Sequence, residues 1–289
     1  MKLMTLNTHA WQEEAQRDKI RQLAHFIKEQ SVELVALQEV NQGMNAPLVE
    51  TCELELYAPV EEGVPITEDN YAYVLQQELQ GLGLSYYWTW VPVHVGFAVY
   101  DEGLAVLSRS PIKEAWSHHV SQLRDYESYR TRKILGVRTC PQGEDTWFVN
   151  GHYGWWEDEE PFRGQWDQTE ERLKPYRDGP LYVMGDFNNV AQIRQEGYDY
   201  ILQHGWHDLY TLARERDEGF TVLKSIAGWE NNKSPLRIDY IISHLPVEVK
   251  SHYVVMNGER GTVVSDHFGV LAEVADRQGG SLAHSIEEQ

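Results

Sequence analysis

Carboxylates, carboxamides and imidazoles recur at the ends of apolar segments in this sequence of 289 residues. Six such segments deliver a side chain of this kind, with almost no lysine or cysteine among them. The side chains are those of Asn7, Glu39, His152, Asp186, Asn188, Asp239, Asp266 and His267. Any one of them alone is best explained as a turn residue, because Asn and Asp favour turns. Their repetition at strand ends indicates a shared site.

The chemistry that these residue types indicate is metal-assisted attack of water on phosphorus. Mg²⁺ and Mn²⁺ take hard oxygen ligands, and Mg²⁺ keeps several waters while it accepts only one or two carboxylates. Imidazoles supply proton transfer or a hydrogen bond to a phosphoryl oxygen. A site that combines both kinds of group therefore suits hydrolysis of a phosphate ester with a bound Mg²⁺ or Mn²⁺ ion.

Periodicity predicts elements that place these side chains at strand ends. Residues 2–8 alternate as a first strand, 12–30 carry apolar residues at helical spacing, and 32–40 form an apolar run that ends in acid. This β-α-β opening is followed by 41–68, which lacks periodicity and contains several prolines. We expect this long loop to cover the mouth of the pocket, since loops of that length are often functional.

The rest of the chain has the pattern of strands and helices without a repeat, linker or composition shift. One domain over 1–275 is therefore expected, followed by a polar tail at 276–289. The predicted strands are 86–96, 103–108, 133–139, 146–152, 180–188, 237–244, 247–256 and 268–274, and the predicted helices are 70–82 and part of 163–177.

Seven motifs, six of which carry these residues, resemble in order those of the endonuclease/exonuclease/phosphatase superfamily. They are 5-TLNTH-9, 37-LQEV-40, 103-GLAVLSRSPI-112, 149-VNGH-152, 184-MGDFNN-189, 238-IDYII-242 and 265-SDHFGV-270. The resemblance covers nearly the whole chain. It implies an α/β fold, a four-layer α-β-β-α sandwich of two mixed sheets flanked by helices, with the site at one end of the packed sheets.

The resemblance also implies a role for each residue that matches a motif. Glu39 would be the principal metal ligand, with Asn7 beside it and Asp266 as a further ligand. Asp186 would orient or deprotonate the attacking water, and Asn188 would hold that water or a phosphoryl oxygen.

The two histidines of the motifs are expected to act on the phosphoryl group. His267 would contact it and be oriented by Asp239, the pairing that fixes a tautomer. His152 would stabilise charge on the phosphoryl oxygens, as in the sugar-phosphate, inositol-phosphate and sphingomyelin branches. Arg109 and Arg237 flank motifs and are candidates for phosphate contact, with a surface or structural ion pair as the equal alternative. The histidines that match no motif are expected to be structural or exposed: His9, His94, His118, His119, His204 and His207.

The segment 151-GHYGWWEDEEPFRGQW-166 places two tryptophans just beyond the strand of His152. Aromatic faces beside carboxylates suit a carbohydrate, because the ring stacks on sugar C–H groups and the carboxylates accept hydroxyl hydrogen bonds. We therefore predict that Trp155 and Trp156 bind substrate. Alternatively, one tryptophan packs under the loop while the acids form a solvated helix N-terminus. Base stacking is a third possibility, which the acidic run disfavours.

This segment and 5-TLNTHAWQEE-14 also resemble a Gram-positive bacterial branch that includes maltose 6'-phosphate phosphatases. The leading hypothesis is thus a divalent-metal-dependent phosphatase acting on a phosphorylated sugar, plausibly a disaccharide phosphate such as maltose 6'-phosphate. One alternative is a phosphodiesterase of sphingomyelinase or nuclease type. The other is a non-catalytic regulatory protein on the same fold.

Composition narrows the partners and the location. A formal net charge of −20 makes a long nucleic acid an unlikely partner, because such binding rests on Lys and Arg. No apolar run approaches the roughly 18 residues that span a bilayer, and the N-terminus turns polar too early for a signal peptide. We therefore expect a cytoplasmic protein without membrane contact. Cys52 and Cys140 lie far apart without metal-type spacing, so a disulfide is not expected.

Overall fold

The computed structural model describes residues 1–275, and the polar tail predicted at 276–289 lies outside the described residues. The strands are β1 (Lys2–Asn7), β2 (Leu34–Gly43), β3 (Tyr87–Gly96), β4 (Tyr100–Ser108), β5 (Glu114–His119), β6 (Lys133–Thr139), β7 (Thr146–His152), β8 (Leu181–Asp186), β9 (His207–Asp208), β10 (Ala213–Arg216), β11 (Asp239–Ser243), β12 (Val249–Val255) and β13 (Gly269–Val274). The helices are α1 (Gln16–Gln30), α2 (Tyr71–Gly81), α3 (Phe162–Leu173), α4 (Gly197–Gln203) and α5 (Leu209–Leu212).

These strands form two mixed sheets. The larger sheet has the order β10-β12-β13-β1-β2-β4-β3, and the smaller has the order β5-β6-β7-β8-β11-β9. In the larger sheet β1 is parallel to β2 and antiparallel to β13. In the smaller sheet β7 is parallel to β8, while β8 is antiparallel to β11. The mixed character of both sheets confirms the prediction.

An apolar layer joins the two sheets face to face. Leu3 and Ala36 of the larger sheet pack in one buried cluster with Phe148 and Met184 of the smaller sheet. These residues alternate with others that point outward, as the two-residue period of a strand requires. Burial of this inner layer fixes the two sheets against each other, and with them the relative positions of their strand ends.

Helices cover the two outer faces. Ile20, Leu23 and Ile27 repeat at helical spacing on α1 and are fully buried against the outer face of the larger sheet. On the other side, Phe162 and Trp166 of α3 pack against the smaller sheet. The resulting order of helix, sheet, sheet and helix is the predicted four-layer sandwich.

The strand ends that carry the candidate residues meet at one edge of the sandwich. Asn7 ends β1 opposite Gln38 of the parallel strand β2. His152 ends β7 opposite Asp186 at the end of the parallel strand β8. Asp239 begins β11, which is antiparallel, and so also lies opposite Asp186. Parallel neighbours and an antiparallel strand that starts where they end therefore bring these side chains together.

Several short elements were not predicted. The strand β5 has the sequence EAWSHH, which is partly or fully exposed along its whole length at the edge of its sheet. The short elements α4, α5, β9 and β10 also lie between predicted strands. Elements of this length offer too few residues for a period to be recognised. None of them alters the order of layers.

Segment 41–68 differs from the expectation of a loop over the pocket. The strand β2 continues to Gly43, and further along the segment Tyr57 and Ala58 pack against β3. There the backbone N–H of Ala58 donates to the carbonyl of Trp88 at 2.8 Å, and the rings of Tyr57 and Trp88 lie 4.5 Å apart. This packing draws the segment away from the cavity described below, and none of its residues lines that cavity.

Two further features concern the cysteines and the apolar character of the helices. Cys52 and Cys140 are both free thiols. Across residues 1–275, no helix combines the length and the apolar character needed to cross a membrane.

Candidate active site

Glu39 enters the site through an irregularity in β2. The pairing of β2 with β4 shifts register between Leu37 and Val40. At this shift Glu39 has a left-handed backbone with φ of 50°. A non-glycine residue in this region costs free energy and persists where the surrounding structure holds it, often at functional sites. Its neighbour Gln38 is fully buried and donates to Asn150 at 2.6 Å, so the shift frees Glu39 to face the cavity.

Asn7 links carboxylates that come from the two different sheets. Its Nδ2 donates to Oε1 of Glu39 at 2.8 Å and to Oδ2 of Asp186 at 3.1 Å. Its Oδ1 accepts from the backbone N–H of His9 at 3.2 Å, which fixes the orientation of the amide. Asn7 is fully buried, so this bridge holds the two acids at a constant separation.

His267 is held between two aspartates. Its Nδ1 lies 3.0 Å from Oδ2 of Asp239, and its Nε2 lies 3.8 Å from Oδ2 of Asp186. Burial opposes protonation of the ring, but Asp239 and Asp186 outweigh it and raise the pKa of His267 to about 10. Burial and the neighbouring Asp239 raise the pKa of Asp186 to about 6. His267 is therefore an imidazolium at neutral pH.

His152 is in the opposite protonation state. Burial, and then the charges of Arg132 and His94, lower the pKa of His152 well below its usual value. Its Nε2 lies 3.2 Å from Nδ2 of Asn188. Because the neutral ring has one acceptor nitrogen, this contact is satisfied when Nε2 accepts from the Asn188 amide. The site thus contains one cationic and one neutral histidine.

The turn after β8 depends on a glycine. Gly185 has φ of 145°, and a Cβ there would lie 1.9 Å from the carbonyl oxygen of Gly151 on β7. Only glycine allows this approach of the two strands. Three residues further on, Asn188 is left-handed with φ of 48°, and its backbone N–H donates to Oδ1 of Asp186 at 2.9 Å. The GDFN motif therefore encodes a turn that fixes both functional side chains.

Asp266 lies beside His9, which matches no motif in the sequence. Its Oδ1 is 3.7 Å from Nδ1 of His9, and the same nitrogen lies 2.9 Å from Oε1 of Glu13. Glu13 in turn pairs with Lys19 at 2.6 Å. The expectation that His9 is only structural or exposed is corrected, because its ring lines the cavity.

A cavity of about 970 Å³ opens over these groups. Most of the predicted catalytic and metal-binding residues line it, namely Glu39, His152, Asp186, Asn188, Asp266 and His267. Asn7 and Asp239 lie behind this lining and hold its members by the hydrogen bonds given above. The structure therefore brings together all eight residues that the strand ends indicated.

Both predicted tryptophans lie on the wall of the cavity. Trp155 and Trp156 are half-buried. The ring of Trp155 contacts Gly228 so closely that a Cβ on that glycine would be 2.1 Å from it. The ring of Trp156 lies 5.9 Å from that of Tyr200 and has the guanidinium of Arg163 at 5.2 Å. Each tryptophan ring is thus packed against other residues on one side and still borders the cavity.

The acids after the tryptophans divide into two kinds. Asp158 forms an ion pair with Arg130 at 3.0 Å, and Glu160 accepts from the backbone N–H groups of Gln122 and Leu123 at 2.9 Å. Those two acids fasten the loop. Glu157 is exposed and lines the cavity, where its carboxylate is accessible to a ligand.

A third tryptophan in the lining was not predicted. Trp229 lies in a segment without periodicity or motif, and its Nε1 donates to Oδ1 of Asn188 at 3.2 Å. With Gly228 against Trp155, this segment closes one side of the mouth. The dipeptide Gly-Trp, followed by the polar run 230–233, offered the only sequence signal.

Sequence reasoning also missed polar residues that lie inside strands rather than at their ends. His94 of β3 and Glu102 of β4 face each other, with Nε2 and Oε1 3.3 Å apart, and both are buried in the cavity lining together with Arg132. His94 is therefore not merely structural. Of the other histidines that match no motif and were expected to be structural or exposed, His118, His119, His204 and His207 stay outside this lining.

The two arginines considered for phosphate contact are not in the cavity. Arg109 is exposed beyond the end of β4, where Ser108 pairs with Leu34 at the start of β2, the end of the sheet away from Glu39. Arg237 is buried and forms an ion pair with Asp208 at 2.8 Å. The position of Arg109 therefore does not support the prediction that it binds substrate. Arg237 forms a structural ion pair, which was the alternative to phosphate contact.

A four-layer sandwich with carboxylates and imidazoles at one end of its sheets is the architecture of a class of phosphoester hydrolases. The chain belongs to the Endonuclease/Exonuclease/phosphatase family, whose model matches residues 6–267. Members of this family generally hydrolyse phosphoesters and depend on a divalent metal ion.

Solved structures support this assignment. An endonuclease/exonuclease/phosphatase family protein from Leptotrichia buccalis is 35% identical with a TM-score of 0.84, and the match covers 95% of this chain and 99% of that one. A mannosyl-6-phosphatase from Bacteroides thetaiotaomicron is 17% identical with a TM-score of 0.67, over 95% and 99%. Truncated Caenorhabditis elegans TDP2 is 15% identical with a TM-score of 0.59, over 94% and 96%. A comparison with curated proteins gives no significant match.

The donor set fits the divalent cation that the family implies. Burial, with Glu102 and Asp266 nearby, raises the pKa of Glu39 to about 8, so its ionised form requires a compensating positive charge. Glu39 and Glu102 can each direct a carboxylate oxygen to one region, where these atoms and a ring nitrogen of His152 lie within 4.8 Å of one another. Carboxylates gathered in this way suit a hard cation such as Mg²⁺ or Mn²⁺.

Proposed function

We propose that this protein is a divalent-metal-dependent phosphatase that hydrolyses a phosphorylated sugar, with a disaccharide phosphate such as maltose 6'-phosphate as the candidate substrate. In this reaction the oxygen of water bonds to phosphorus, the ester P–O bond breaks, and a sugar hydroxyl and inorganic phosphate are released. The observation that carries the proposal is the cavity itself, in which a polar end rich in carboxylates and imidazoles adjoins a wall of tryptophans.

Glu39, with Asp266 as a further ligand, would hold the metal ion, and Asn7 would orient the Glu39 carboxylate through its Nδ2 donor. Such an ion, when bound, supplies positive charge to the phosphoryl oxygens and thereby assists attack at phosphorus. Asp186, held by Asn7, would orient the attacking water and accept its proton. Asn188 is positioned by its left-handed turn to hold that water or a phosphoryl oxygen.

The histidines would act in their different protonation states. His267, as an imidazolium oriented by Asp239, would donate from Nε2 to a phosphoryl oxygen. His152 is neutral with Nε2 engaged by Asn188, so its other ring nitrogen carries the proton and would be the donor to developing charge. This division supplies two donors with only one formal charge.

The wall of the cavity supports a sugar as the alcohol part of the ester. Trp155, Trp156 and Trp229 present aromatic surface, and the exposed carboxylates of Glu157 and Glu230 border it. This is the combination that stacks on sugar C–H groups and accepts hydroxyl hydrogen bonds. A volume of about 970 Å³ also accommodates more than a single sugar ring. The mannosyl-6-phosphatase neighbour demonstrates that a chain of this fold can act on a sugar phosphate.

The test is phosphate release from a panel of esters, each with Mg²⁺ or Mn²⁺ and with chelator. The panel contains maltose 6'-phosphate, glucose 6-phosphate, an inositol phosphate, sphingomyelin and single-stranded DNA. We expect chelator-sensitive turnover of the disaccharide phosphate in preference to glucose 6-phosphate. Turnover of the diesters alone would refute the phosphatase proposal in favour of a phosphodiesterase, and no turnover of any ester would favour a non-catalytic protein.

A matched pair of variants ties that turnover to this cavity. Asp186→Asn keeps the shape of the side chain but removes its basicity, and should lower turnover by about 10²–10⁴-fold. Asp18→Asn removes the same charge from an exposed position on α1 and should leave turnover unchanged. Equal activity in the two variants would show that Asp186 has no part in the reaction.

A further inference from the structure

Arg132 is a buried arginine for which the reaction described above has no role. Its side chain lines the cavity although the residue is only 4% exposed. Within residues 1–275, its guanidinium forms no ion pair or side-chain hydrogen bond, and Nε is buried without a partner. A buried arginine normally has its N–H groups paired, because leaving a charged donor unsatisfied is costly. Such a group is suited to a ligand that brings its own acceptor oxygens.

The backbone fixes Arg132 beside the reacting end of the cavity. Its N–H donates to Oγ of Ser121 at 2.8 Å, and its carbonyl accepts from the N–H of Val120 at 2.9 Å. It directly precedes β6, whose Ile134 pairs with Gly151, the residue before His152. The charge of Arg132 also contributes to lowering the pKa of His152. Arg132 is therefore held within electrostatic reach of the group expected to donate to phosphoryl oxygen.

The charge of the cavity makes this arginine distinctive. Of the described residues that line the cavity, it is the only lysine or arginine, while carboxylates such as Glu39, Glu102 and Asp186 surround the polar end. The charges of Glu102, Asp186 and Glu39 act on Arg132 through space, but its Nε has no hydrogen-bond partner among the described residues. An arginine kept apart from nearby acids retains its N–H fork for an incoming anion, and this fork matches the spacing of phosphoryl oxygens.

We propose that Arg132 binds non-bridging oxygens of the substrate phosphoryl group and thereby selects phosphomonoesters over phosphodiesters. This inference rests on the proposed function and adds a specificity residue to it. A monoester has three non-bridging oxygens and approaches two negative charges near neutral pH. A diester has two such oxygens and one negative charge. A fixed cation with a forked donor interacts more strongly with the first group, because it meets both more charge and more acceptors.

The inference is tested with Arg132→Gln, Arg132→Lys and Arg109→Gln. The last variant removes the same charge from the end of the larger sheet that lies away from Glu39, and it serves as the matched control. For each protein, kcat/KM is measured with p-nitrophenyl phosphate and with bis(p-nitrophenyl) phosphate in the presence of Mg²⁺. Binding of inorganic phosphate is measured separately by calorimetry, with metal and with chelator. Thermal unfolding confirms that each variant is folded.

We expect Arg132→Gln to weaken phosphate binding by roughly 10²-fold and to lower the monoester-to-diester ratio of kcat/KM by at least about 10-fold. Arg132→Lys should retain part of the phosphate affinity, since it keeps the charge but loses the fork. If Arg132→Gln does not fold, a fall in both quantities for Arg132→Lys alone supports the inference. Unchanged phosphate binding in a folded variant, or equal loss with both esters, would overturn it. The wild-type panel separately decides whether the protein is a phosphatase.

Discussion

The buried residue His252 should make the protein sensitive to mild acid. It lies on β12, is 1% exposed, and neither of its ring nitrogens has a hydrogen-bond partner among the described residues. Its ring lies edge-on to Tyr210 at 5.3 Å. Burial is the main cause that lowers the pKa of His252 to about 4. The folded protein therefore resists protonation of this ring, whereas the unfolded chain accepts a proton at the ordinary pKa of about 6.5.

The size of the effect follows from linkage between proton binding and folding. Above pH 6.5 the ring is neutral in both states and costs nothing. As the pH falls below 6.5, the unfolded state binds the proton first, so the free energy of unfolding decreases until the folded state is also protonated near pH 4. At about 1.4 kcal/mol per pH unit, the pKa difference corresponds to roughly 3 kcal/mol at most. About 2 kcal/mol of this should already be lost at pH 5.

Urea unfolding of wild type and His252→Phe from pH 8 to pH 4 measures the contribution of His252 to the free energy of unfolding. Phenylalanine fills a similar volume but does not titrate, so the difference between the two free energies of unfolding isolates His252 from other groups. We expect that difference to shift in favour of the variant by about 2 kcal/mol between pH 7 and pH 5. His25→Gln, at an exposed position of α1, should run parallel to wild type. A difference that stays constant across this range would refute the argument.

Three further predictions concern the site. Asp239→Asn should lower kcat about 10²–10³-fold, because His267 loses the charge that keeps it protonated; unchanged steady-state turnover would contradict this role. Glu39→Gln should weaken Mg²⁺ binding in calorimetry by at least about 10-fold, and full retention of affinity and hydrolysis would refute the metal assignment. Trp155→Ala should raise KM for a disaccharide phosphate about 10-fold but leave KM for glycerol phosphate unchanged, and an equal rise for both would count against sugar stacking.

The layers and the strand-end residues of the site could be predicted from the sequence for a physical reason. A strand must alternate, and a helix must repeat near every fourth residue, so the buried faces of β1 and α1 leave a local signal. Polar residues such as Asp186 and Asp266 interrupt that pattern at strand ends. The family motifs, which occur in a fixed order, identify the same residues. These residues are the ones that the structure brings together.

The rest of the lining could not be predicted because it depends on which sheet faces which. His94 and Glu102 lie inside strands, where a polar residue is compatible with a solvent-facing position until its neighbours are known. Arg109 has the same local character as Arg132, yet one is exposed at the far end of the sheet and the other is buried in the cavity. Sequence gives the residue type, whereas tertiary packing decides its solvation.

The opposite protonation of the two histidines has the same origin. Asp186 lies near Nε2 of both rings, but His267 also has Asp239 at 3.0 Å from its Nδ1, whereas His152 has the Asn188 carboxamide and the charge of Arg132 in its surroundings. These differences arise because β11 supplies Asp239 to one ring, while the residue before β6 supplies Arg132 to the other. An acidic protein can in this way present positive charge and neutral donors to an anionic phosphoryl group in one place. Its net charge of −20 is therefore compatible with a phosphate ester as substrate.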